Sequence, residues 1–126
     1  AWQQFKANKL KLALDRYDRR LRIYEEVVVF IGRVLTDFQP KLTDVSSFHR
    51  ATAEADFLFG PDIPAYIAEL TKKATDLYVA DKEDGRFGDP TYDHAKTLAA
   101  RRELESWFLQ QPDVVVPKFK PYLSVS

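Results

Sequence analysis

Residues 10–38, LKLALDRYDRRLRIYEEVVVFIGRVLTDF, place apolar side chains at Leu10, Leu14, Tyr17, Leu21, Tyr24, Val28, Ile31, Leu35 and Phe38, four and three residues apart in alternation. That is the a/d pattern of a heptad on one helix face. A strand needs alternation at every second residue and an unstructured segment has no period, so the stretch predicts a long amphipathic helix. From Ile23 onward a second stripe, Ile23, Val27, Phe30 and Val34, runs beside the first. A wider apolar face needs more than one neighbour. Residues 23–38 are therefore expected inside a bundle, whereas Ala1 to about Tyr17, with one narrow seam, is expected to project from it.

Charge divides the chain in the same place. Ala1 to Arg22 carries Lys6, Lys9, Lys11, Arg16, Arg19, Arg20 and Arg22 against Asp15 and Asp18, a balance of +5, so the remainder of this neutral chain sums to −5. Asp15 precedes Arg19 by four residues and Asp18 precedes Arg22 by four, the favourable orientation for ion pairs along a helix. The plain reading of this cluster is a solvated face. The sharper reading is a membrane-proximal stalk, since basic residues gather beside spanning helices and attract anionic headgroups. Trp2 and Phe5, just ahead of the basic run, sit where an interfacial aromatic belt would. Packing against a neighbouring chain explains the same two rings equally well.

Proline and capping residues divide the rest. Pro40 ends the first helix, and Thr43 or Asp44 offers an N-cap for a second helix reaching Phe59, where Gly60-Pro61 stops it. Phe57-Leu58-Phe59 cannot all face inward, so they are expected chiefly to plug the bundle end, the alternative being one exposed for a partner. Asp62 is read as the N-cap of a third helix with Ile63, Ile67, Leu70, Ala74 and Leu77 inward, and with the Tyr66 and Tyr78 hydroxyls reaching the surface. It is expected to fade near Ala80 to Lys82 into a loop ending at Pro90. Asp89 and Pro90 are read as the start of a fourth helix, carrying Tyr92, Ala95, Leu98, Ala99, Leu104, Trp107, Phe108 and Leu109. Pro112 is expected to end or bend it, with Val114-Val115-Val116 extended or a short turn of helix, Phe119, Tyr122 and Leu123 clasping the bundle, and Ser124 to Ser126 frayed. The result is an all-α, up-and-down antiparallel helical bundle of about four helices with a long N-terminal helix. It forms a single helical domain over 1–126, with 1–22 a projecting basic helix or membrane-proximal stalk and 23–126 the bundle.

Composition sets the outer bounds. At 126 residues, 45% hydrophobic and 30% charged, the chain suits one globular domain and is not disordered as a whole. No stretch approaches the ~18 consecutive apolar residues of a membrane span. With no cysteine, disulfides, thiol catalysis and thiolate metal sites are excluded. Zero net charge argues against a dedicated nucleic-acid binder.

The run Lys9-Leu10-Lys11-Leu12-Ala13-Leu14-Asp15-Arg16-Tyr17-Asp18-Arg19-Arg20-Leu21-Arg22-Ile23-Tyr24-Glu25, followed by Ala53-Glu54-Ala55-Asp56-Phe57-Leu58-Phe59-Gly60, resembles a group of small bacterial proteins of uncharacterised function. Their plan is one N-terminal transmembrane helix leading into a helical cytoplasmic domain. The resemblance spans roughly Lys9 to Tyr78. It implies an anchor ahead of residue 1 and a place at the cytoplasmic face of a bacterial inner membrane, and it brings no catalytic residues.

Catalytic patterns are not visible. His49 and His94 have no histidine partner four residues away, so no helical zinc pair is present. Ser46 and Ser47 read as local caps at a helix start, with no Gly-x-Ser-x-Gly turn around them. Asp81, Glu83, Asp84 and Gly85 echo a calcium loop, but counting back from Gly85 puts Ala80 at its first position. Glu25, if turned inward, could meet Arg101 or Arg102 as a buried link between the first and fourth helices. No cofactor and no metal site is read, and the chain is expected not to be an enzyme.

The expected function is a non-catalytic protein-interaction or scaffold domain. Its contact residues are Trp2, Phe5, Lys6, Lys9, Leu10, Lys11, Leu14, Arg16, Tyr17 and Arg20. The expected partners are a second copy through a parallel first helix, an anionic lipid surface near the N-terminus, or an unidentified protein. Folding back of Pro117 to Leu123 over the Leu10–Leu14–Tyr17 seam is the intramolecular alternative. An interhelical small-ligand or enzymatic pocket is the rival from another class, and nucleic-acid binding through the basic helix ranks below both.

Overall fold

The computed structural model describes residues 1–83 and 93–124. All its regular elements are helical: α1 (Trp2–Asp37), α2 (Leu42–Ala51), the single turn α3 (Ala55–Leu58), α4 (Asp62–Glu83), α5 (His94–Phe119) and a closing 3-10 turn at Lys120–Tyr122. The long N-terminal helix and the all-α bundle expected from the sequence are both present. Both α1 and α4 pack on α2, α3 and α5, so α1 and α4 stand diagonally across the bundle.

Contacts fix the direction of each neighbour. On α1, Phe30 stacks on Phe48 while Arg19 reaches Glu54 further along the chain, which makes α2 and α3 antiparallel to α1. Tyr24 meets Phe119 and Arg20 meets Tyr122; Tyr66 meets Gln111 and Asp81 meets Arg101. Hence α5 is antiparallel to both α1 and α4, and the topology is up-and-down. The core is Ile23, Val27, Phe30, Ile31 and Val34 from α1, Phe48, Ala55 and Phe59, the inward row Ile63, Tyr66, Ile67, Leu70, Ala74 and Leu77 of α4, and Phe108, Val115 and Phe119.

Where α1 stops, Phe38 adopts the left-handed conformation, φ 55°, and its amide donates to Val34 O at 2.8 Å. A residue with a Cβ there is strained; packing of the Phe38 side chain against the core compensates.

Several boundaries differ from the sequence reading. The second helix starts at Leu42, and Asp44 caps it from inside, its carboxylate accepting from the Lys41 amide at 3.1 Å. Ser46 and Ser47 consequently lie within α2, past the position where a cap acts. The helix also breaks after Ala51 instead of running to Phe59. Buried Thr52 donates its hydroxyl to Phe48 O at 2.8 Å, a back-bond that bends helices, and the chain resumes at Ala55 with Phe59 inward. Phe57 is left 88% exposed.

Asp62 is the first residue of α4, not its N-cap, because its carboxylate accepts instead from the Tyr122 hydroxyl at 2.6 Å. The Tyr66 hydroxyl, expected at the surface, is buried and donates to Gln111 Oε1 at 2.7 Å. α4 continues to Glu83, so Asp81 to Glu83 are helical. Residues 84–90 of the expected acidic loop, the Asp89-Pro90 cap, Tyr92, and Val125 and Ser126 of the expected frayed end lie outside the described residues.

The fourth helix is the largest departure. Asp93 caps α5, accepting from the Lys96 amide at 3.0 Å, and the helix then runs unbroken through Pro112 and Pro117 to Phe119. Both prolines lie on the exposed side. Each costs about 3 kcal/mol in a helix interior, but burying Phe108, Val115 and Phe119 returns roughly 1.5–3 kcal/mol apiece. Partly buried Leu104, Trp107 and Val114 add to that. Val114 to Val116 are helical because extending them would pull Val115 and Phe119 from the core. Glu25 is exposed, and Arg101 pairs with Asp81 at 3.4 Å, so the inward Glu25–arginine link does not form. It fails because Arg101 sits near the start of α5, several helical turns from the level where Tyr24 meets Phe119.

Candidate functional site

α1 leaves the bundle at Arg19. There Arg19 bridges Asp15 at 3.3 Å and Glu54 at 3.6 Å, and the Arg20 guanidinium donates to Leu58 O at 2.7 Å and Tyr122 O at 3.4 Å. The Arg20 side chain also lies over the rings of Phe59 and Tyr122. Arg20 is therefore a latch at the base of the projection, not a free contact residue. The projection ends earlier than Arg22, at Asp18, because residues 19–21 already meet the bundle. At about 1.5 Å per residue its length is roughly 27 Å.

On that projection Trp2 and Phe5 are exposed, Lys6 lies over the Trp2 ring at 4.6 Å, and Lys9, Lys11 and Arg16 face solvent. Trp2, Phe5, Lys6, Lys9, Leu10 and Ala13 share one shallow face. Leu10 is 56% exposed and Leu14 43%, while Tyr17 is half-buried. The C-terminal segment meets α1 at Arg20 and Tyr24. The expected fold-back of Pro117 to Leu123 over the Leu10–Leu14–Tyr17 seam does not cover Leu10 and Leu14, which stay exposed, since the 3-10 turn is held at the bundle end by Asp62 and Phe59.

The bundle uses the second stripe of α1 together with Ile31 of the heptad, and leaves the other heptad residues on the flank or beyond it. Ile23, Val27, Phe30 and Val34 are buried, whereas Leu21, Tyr24 and Leu35 are half-buried and Val28 is 40% exposed. Val28 points about 100° away from Val27. An apolar line thus runs from Leu10 through Leu14, Tyr17, Leu21 and Val28, outside the bundle at one end and along its side at the other.

α5 adds to this line residues that the sequence reading did not single out for contact. Gln111 and Lys118 face Tyr66 of α4, and Trp107 lies beneath Lys73 of α4. Leu109 and Val116 are on the opposite flank of α5, toward α1, and both are exposed. Helical phase would have shown this, because Leu109 and Val116 are seven residues apart and about a third of a turn from the Phe108–Val115 row.

A second concavity is a groove of about 700 Å³ on the outer side of α4 and α5, with Val79, Ala80, Leu104 and Trp107 among its lining and Asp76, Glu83, Asp93 and Glu103 around it. Between the same helices Tyr66 and Gln111 form a buried polar contact, and the Gln111 amide also donates to Trp107 O at 2.8 Å. Burial, and secondarily the charge of Glu69, pushes the Tyr66 phenol well above its ordinary value. Tyr122 is also raised, first by its hydrogen bond to Asp62. His49 is exposed beside a shallow depression at α2 and α4. Among the described residues, no three His, Asp or Glu side chains are placed to hold a metal ion, and no helix is long and apolar enough to cross a membrane.

Compared with protein-family models, curated proteins and solved structures, the chain finds no match.

Proposed function

We propose that this chain is a non-catalytic interaction domain that works through α1. The observation that carries the reading is the heptad line itself: Leu10, Leu14 and Val28 are exposed although their spacing is that of a contact face. A helical bundle needs its inward stripe covered, and Ile23, Val27, Phe30 and Val34, with Ile31 from the heptad, meet that need. Leu10, Leu14 and Val28 of the heptad have no such role in the bundle, and exposed apolar surface along one helix marks an interaction site. Photo-cross-linking in cells tests this, with the probe at Leu14 or Val28 and controls at exposed Arg33 and Asp113. Adducts are expected from the line and not from the controls; equal yields from both sets overturn the reading.

A second reading has its own observation, the tip where Trp2 and Phe5 stand exposed beside Lys6, Lys9 and Lys11. Such a tip fits an anionic lipid surface, and the resemblance noted above supports the cytoplasmic face of a bacterial inner membrane. Each lysine contributes about 1 kcal/mol near such a surface. Replacing the three with Gln is then expected to weaken binding to vesicles containing phosphatidylglycerol by roughly a hundredfold. Equal binding to neutral vesicles overturns this reading.

A further inference from the structure

We infer that the partner of the α1 line is a second copy of this chain, lying antiparallel along it. The inference rests on the reading of that line as a contact face, and deepens it by naming the occupant.

The line is self-complementary when reversed. Leu10 opposite Val28, Leu14 opposite Tyr24 and Tyr17 opposite Leu21 form a single register, since each pair of numbers sums to 38. Apolar positions therefore meet apolar positions along the whole overlap, with the two-fold axis near Arg19. The stalk of each copy lies along the body of the other, over the side where α5 exposes Leu109 and Val116. The stalk flank carrying Trp2, Lys6 and Ala13 faces that side of α5. Residues exposed on three separate segments are covered by one arrangement.

Charge selects the antiparallel sense. In this register residues 1–15, with Lys6, Lys9 and Lys11 against Asp15, lie along residues 23–37, with Glu25, Glu26 and Asp37 against Arg33. Beside the heptad line, Lys11 and Glu25 occupy equivalent outer flanking positions, and such positions face each other across an antiparallel pair. Reversal therefore brings Lys11 of one copy to Glu25 of the other, twice by symmetry. A parallel pair instead sets Lys11 of one helix against Lys6 of the other and the two basic stretches side by side. The arrangement is isologous and closed, and at about 1.5 Å per residue it leaves the two Trp2 tips roughly 50 Å apart. This departs from the parallel pair expected from the heptad alone.

The test uses the full chain, which has no cysteine of its own. Light scattering is expected to show a dimer at high micromolar concentration. Under mild oxidation, Leu10→Cys and Val28→Cys chains mixed together are expected to give a mixed disulfide, while Leu10→Cys alone gives none. Lys11→Glu and Glu25→Lys are each expected to weaken the dimer about tenfold by replacing attraction with repulsion, and the double variant to return to within about threefold of the parent. All four residues are exposed, so these variants keep the fold. A monomer at every concentration overturns the inference, as does self-cross-linking of Leu10→Cys or a double variant no better than the singles. If the chain is monomeric while probes on the line still yield adducts in cells, this inference falls and the interaction reading stands.

Discussion

Tyr66 and Gln111 show how much one buried polar pair can decide. The phenol donates to Gln111 Oε1 at 2.7 Å within the α4–α5 seam, so Tyr66→Phe leaves an acceptor unsatisfied and is expected to cost about 1–3 kcal/mol by chemical denaturation. The raised phenol also makes a prediction about pH. Unfolded Tyr66 releases its proton near pH 10 while the folded protein keeps it, so the unfolded state binds fewer protons above that pH. Stability contributed by Tyr66 is thus present below about pH 10 and declines as pH rises beyond it. Melting curves of Tyr66→Phe are expected to fall less steeply than those of the parent above about pH 10; identical slopes contradict the account. The sequence showed Tyr66 near the inward face but not its partner, because Gln111 lies 45 residues away. Arg20 was equally hidden: in sequence it is one of a basic cluster, and only the fold brings Leu58 O and the Tyr122 ring to it.

At the scale of elements, periodicity was the most readable signal and local breakers the least. The inward row of α4 was legible because Ile63, Ile67, Leu70, Ala74 and Leu77 sit on one face and all are buried. On α1 two stripes were legible, but not which one the bundle would bury more fully. Periodicity reports that a face is apolar, not what lies opposite it, and Phe48 stacking on Phe30 made the choice. The prolines of α5 misled because propensity is a local cost that tertiary burial can exceed. Both stand on the solvent side, so Pro112→Ala restores an amide donor to the turn at no loss of core packing. The variant is expected to gain about 1–2 kcal/mol, less than the full helix-interior cost because α5 is already formed. A fall in melting temperature for Pro112→Ala shows instead that α5 needs Pro112 to fit α1.

At the scale of the molecule, α1 belongs to two structures at once. Its second half is a wall of the bundle, and its first half is a free helix whose isolated stability is marginal at about 18 residues. The two halves meet at Arg19 and Arg20, where side-chain bonds to Glu54, Leu58 and Tyr122 begin. Residues 1–18 therefore add little to the folding of a single copy, and Trp2, Phe5, Leu10, Leu12 and Leu14 are exposed there. Removing 1–18 is expected to leave the dilute chain's melting temperature within about 2 °C of the parent, since surface changes away from packed features shift stability by under about 0.5 kcal/mol. Removing 1–22 is different, because it takes the Arg20 latch and half-buried Leu21. That deletion is expected to cost at least about 2 kcal/mol, as charged hydrogen bonds alone contribute about 1.5–3 kcal/mol. The pair of truncations locates the boundary of the bundle. If both melt alike, the projection does not end at Arg19; if the first already unfolds the chain, the basic half of α1 is part of the core fold and its exposed line serves stability instead of contact.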